Sequence, residues 1–192
     1  MIALTNLSTT LRDLHTLHRT LDDVVRHGTT ASEAMGRLVA RMESGISAGD
    51  TVIQRRLGAH ATVPDRVVGG ADAVAAAKLV STAKRELAAI AKLGIPAAQP
   101  AGRPAWATHT PTATELTERA ARQVDYTGQQ LPGAHRNTIT GAPSTLRVAA
   151  GDVGAQARNS RAVIDQAVHG WSTLRAGVED TIHSLGGTVA PR

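Results

Sequence analysis

The sequence predicts an all-α fold: an elongated helical bundle of about five or six helices with a long C-terminal helix. Three observations carry this. Apolar residues recur at spacings of three and four over 4–25 and again over 146–185, which is the period of a helical seam. Alanine supplies 34 of the 192 residues, and no side chain favours a helix more. No segment alternates apolar and polar residues between hairpin signals, so strands are not expected.

The first helix is marked by Leu4, Leu7, Leu11, Leu14, Leu21 and Val25, with His18 filling the remaining seam position. Leu17 and Val24 widen the stripe, which favours a bundle helix over a two-stranded zipper. Gly28 reads as its stop. A second helix is expected from Thr30, which has capping-box spacing to Glu33, through Met35, Leu38, Val39 and Met42 to Gly45. A short third follows Asp50, with Val52, Ile53 and Leu57 apolar, and Pro64 closes the region. The fourth runs from about Ala71 to Leu93. Gly94 fits the left-handed cap, Ile95 is placed to contact Ile90, and Pro96 blocks continuation.

Residues 96–112 hold four prolines (Pro96, Pro100, Pro104 and Pro111) and Trp106, and read as an extended linker. This stretch separates an N-terminal helical region, 1–95, from a C-terminal one, 113–192, and the two can still pack as one domain. The fifth helix spans about Ala113 to Thr127, opened by Thr112 and Glu115 at capping-box spacing. Residues 128–144 read as loop.

The last segment carries two heptad rows. One is Leu146, Val153, Ser160, Ala167 and Leu174; the other is Ala150, Ala157, Ile164, Trp171, Val178 and Leu185. Four glycines (Gly151, Gly154, Gly170 and Gly177) weaken this helix by up to ~1 kcal/mol each relative to Ala. A break is expected, if anywhere, near His169-Gly170. Gly186-Gly187 ends it.

Composition excludes several classes. With no cysteine there is no disulfide framework, no thiolate metal site and no cysteine nucleophile. With no Phe, two Trp and one Tyr there is no aromatic platform for single-stranded nucleic acid. The pI of 10.6 reflects 18 Arg against 3 Lys rather than a basic block, since Arg does not titrate near neutrality. The most positive segment is 46–95, at +3. No secretory signal is visible and no apolar run approaches a membrane span, so the expectation is cytoplasmic synthesis without a signal peptide.

Each motif has a bland alternative. Gly45-Ile46-Ser47-Ala48-Gly49 fits G-x-S-x-G, but that nucleophile elbow needs a strand before the serine and a helix after it. His15, His18 and Asp22 share one side of the first helix, and Asp180 and His183 make half of a di-metal pattern. The full pattern needs further carboxylates, so no metal and no cofactor is expected. Arg55, Arg56, Lys84 and Arg85 are the basic doublets that would touch phosphate if they shared one face.

The expected function is therefore non-enzymatic: a helical structural or interaction protein working through helix–helix association, as a component of an assembly such as a virion. Its partner would be a protein, either a second copy in a homo-oligomer or another subunit. One alternative is a DNA- or RNA-associated accessory protein using 46–95. Another is a metal-dependent helical-bundle enzyme. No resemblance to a known family is claimed.

Overall fold

The computed structural model describes residues 2–56, 71–95, 111–131 and 143–189, with side chains over 6–44, 74–95, 111–131 and 151–189. It is all-α: among the described residues there are four helices and no strand. They are α1 (Ile2–Arg56), α2 (Ala71–Lys92), α3 (Ala113–Gln129) and α4 (Pro143–Ser184). The expected count of five or six is thus corrected to four, and the missing boundaries all fall inside α1.

Gly28 does not stop α1. It sits buried where α1 and α4 press together, and a Cβ added to it would lie 2.5 Å from Val168 Cγ2. The residue is small for the sake of a close helix approach. Thr30 likewise caps nothing: its hydroxyl donates to Arg26 O at 3.0 Å, as a serine or threonine inside a helix does. The backbone stays helical through Gly45 and Asp50 to Arg56. Leu57 and Pro64 lie outside the described residues.

The other boundaries follow local rules. α2 ends at Lys92, and Gly94 takes a φ of 64°, which favours glycine. At α3 the capping box is complete: Glu115 N donates to Thr112 Oγ1 at 3.2 Å, and Thr112 N donates to Glu115 Oε2 at 2.7 Å. α4 opens on Pro143, whose missing N–H is no loss in a first turn. It runs unbroken through His169-Gly170, where Gly170 lets Ala113 approach, an added Cβ lying 3.0 Å from Ala113 Cβ. It closes in a Schellman turn: Gly187 N donates to Ile182 O at 2.9 Å, Gly186 N donates to His183 O at 3.0 Å, and Gly186 has a φ of 80°.

Cross-helix contacts fix the directions. Asp22 meets Arg175 and Glu43 meets Arg158, so α1 and α4 are antiparallel. Thr117 meets Trp171 and Thr127 meets Ser160, so α3 and α4 are antiparallel. Lys84 meets Asp125 while Val80 faces Gly128, so α2 and α3 are antiparallel as well. Among the described residues α1 runs beside α2 and α4, and α3 runs beside α2 and α4, so that α1 and α3, like α2 and α4, lie diagonally across the core. The result is an up-down-up-down four-helix ring around one core. Residues on both sides of the 96–112 stretch contribute to that core, Leu21 and Leu87 on one side, Val124 and Ile164 on the other.

The helices are unequal. α1 has 55 residues and α4 has 42, against 22 in α2 and 17 in α3. At about 1.5 Å per residue the long pair measures ~82 and ~63 Å, the short pair ~33 and ~26 Å. Four helices therefore surround only the middle of the molecule, and the α1–α4 pair projects beyond them.

The expected seams meet within one chain only in part. Of the first, His18 and Leu21 are buried, Leu11, Leu14 and Val25 are partly buried and Leu7 is exposed, while the buried stripe of α1 continues beyond it through Gly28, Ser32 and Met35. On α4, Val153, Ala157, Ser160, Ile164, Ala167, Trp171 and Val178 are buried. The buried stripe of α4 then moves off the row of Val153: the next heptad position after Leu174, Thr181, is exposed, and its neighbour Ile182 is fully buried. A straight helix drifts ~20° per heptad, so about four heptads beyond Val153 the stripe has turned by nearly one residue. Leu185, expected to end the other row, lies beyond α4 and is 36 % exposed.

Candidate functional site

Arg55 and Arg56 lie in the last turn of α1, where side chains fall outside the described set. Lys84 and Arg85 lie on α2, beside His27 of α1 through their neighbour Glu86. From His27 to Arg55 the helix advances by ~42 Å, so the two basic doublets do not form one stripe. The α2 doublet is also paired with acids. Lys84 Nζ is 2.6 Å from Asp125 Oδ1, and Arg85 Nη2 donates to Glu86 Oε1 at 2.8 Å. Glu86 is nearly buried, with His27 Nδ1 2.6 Å from its Oε2. The hydrogen bonds from His27 and then Arg85 hold its carboxyl below the ordinary value of 4.5, against the opposing effect of burial.

The histidine cluster is brought together only in part. His18 is buried between α1 and α4, with Nδ1 3.5 Å from Asp22 Oδ2 and Nε2 3.6 Å from Glu179 Oε2. Asp22 Oδ1 accepts from Arg175 Nη1 at 2.9 Å, and His183 Nε2 is 3.9 Å from Glu179. Asp180 is exposed. Among the described residues no group of three or more His, Asp or Glu is placed to hold a metal ion. The charge pair that this cluster places across the seam is Arg175 of α4 on Asp22 of α1. The G-x-S-x-G segment, 45–49, has a helical backbone and so lacks the strand–turn–helix form of a nucleophile elbow.

Two surfaces leave no local mark in the sequence. One is a groove of about 360 Å³ between α2 and α3, walled by Leu87 and Ala91 on one side and Thr114, Glu118 and Ala121 on the other. Trp171 forms its floor, held by a hydrogen bond from Nε1 to Thr117 Oγ1 at 3.1 Å. The hydroxyl of Thr114 is buried without a partner there. Because α2 and α3 are joined only through the bundle and the 96–112 stretch, no local pattern marks this groove in advance.

The other is the end of the bundle where α1 begins and α4 stops. Burial along the first leucine stripe falls steadily toward the N-terminus: Leu21 is 0 % exposed, Leu17, Leu14 and Leu11 are partly buried, and Leu7 is 37 % exposed. On α4, Leu185 is 36 % exposed. The tail turns back over part of this end, with Gly187 against Leu11 and Ile182, and Val189 against the core. The stripe itself is legible as a helical seam. Its partial exposure depends on α2 and α3 being short. An apolar seam that continues past its own partners can bury area against another helix, and it offers no group for catalysis. No helix among the described residues is long and apolar enough to cross a membrane. No family model, no curated protein and no solved structure matches the chain.

Proposed function

We propose that this is a non-enzymatic helical interaction protein that works through helix–helix association, as a subunit of a larger assembly such as a virion. The observation that carries the reading is the leucine stripe of α1, buried at Leu21 and open at Leu7. The middle of the bundle supplies a rigid body, and the two-helix end supplies apolar side chains at the i, i+4, i+7 positions a docking helix reads. The polar contacts beside it match charge and hold the α1–α4 pair in register.

A photo-reactive residue placed at Leu7, in the cell that makes the protein, tests the reading. Covalent adducts to a defined polypeptide are expected at Leu7 and not at Gly177, which is exposed on α4. Equal, background-level labelling at both positions would overturn it.

A further inference from the structure

We draw no further inference here: the strongest candidate, the apolar groove between α2 and α3 over Trp171, is lined as far as Ile95 and Thr114 on either side of residues 96–110, and nothing in the structure shows what covers it.

Discussion

Gly28→Ala distinguishes a glycine that α1 needs for its close approach to α4 from one that a helix merely tolerates. On propensity alone, alanine in place of a helical glycine stabilises by ~1 kcal/mol. In this bundle the new methyl would lie 2.5 Å from Val168 Cγ2, where about 3.5–4.0 Å is comfortable. Val168 cannot swing aside cheaply, because a β-branched side chain in a helix keeps essentially one rotamer. Overpacking of this kind costs ~1–3 kcal/mol, so the net effect in the parent is a loss of up to ~2 kcal/mol. In a Val168→Ala background the obstructing methyl is gone and Ile90 Cδ1, at 3.9 Å, is in ordinary contact. There Gly28→Ala should stabilise by about 1 kcal/mol. Urea unfolding followed by circular dichroism on the four proteins of the cycle should give a coupling of ~1–3 kcal/mol. Equal effects of Gly28→Ala in both backgrounds would show that α1 and α4 do not meet at this glycine.

Other outcomes follow from the same structure. Gly177→Ala, where an added Cβ meets nothing within 4 Å, should stabilise by up to ~1 kcal/mol in the same unfolding assay, and a loss would mean the site is covered. Leu21→Ala should cost ~2–5 kcal/mol because Leu21 is fully buried, whereas Leu7→Ala should cost well under ~2 kcal/mol; similar costs would contradict the burial gradient. Thr117→Val leaves the Trp171 N–H without an acceptor and should lower stability by ~1–3 kcal/mol, an effect that should vanish when Trp171 is Phe. Because the folded-state pKa of Glu86 is lowered, its stabilising contribution is fully present above the ordinary value of 4.5 and lost as pH falls through the folded value. The difference in urea midpoint between the parent and Glu86→Gln should therefore shrink between about pH 6 and about pH 3, and a constant difference would contradict the sign.

Local chemistry decides what can be read from the chain. The Thr112–Glu115 capping box, the Gly94 cap and the Gly186-Gly187 stop are each settled within a few residues, and all three appear where the sequence puts them. Gly28 misleads because a helix-ending glycine and a helix-crossing glycine are the same residue. The choice is made by Val168, 140 positions away. A signal for the continuous helix does exist: Leu21, Val25, Gly28, Ser32, Met35, Val39 and Met42 keep one 3,4 phase straight through the supposed stop. The drift from Thr181 to Ile182 is likewise hidden, since a strict heptad row assumes a supercoil that α4 does not fully follow. The basic doublets share the most positive stretch of the sequence, yet one long helix carries the first of them ~42 Å beyond His27, the residue beside the second. The α2–α3 groove and the open end arise from helix lengths and ring order, which no single segment encodes.

The bundle is built on its two long helices, α1 and α4, facing each other antiparallel within one chain. A Cβ built on Gly154 lies 3.6 Å from Met42 Cβ, inside the ~3.5–4.5 Å that a disulfide requires. The chain has no cysteine of its own, so Met42→Cys/Gly154→Cys introduces the only pair. Under mild oxidation, intact mass and non-reducing electrophoresis should show a monomer two hydrogens lighter that unfolds at higher urea. Free thiols that persist, or cross-linked dimers in place of the closed monomer, would contradict the antiparallel pairing.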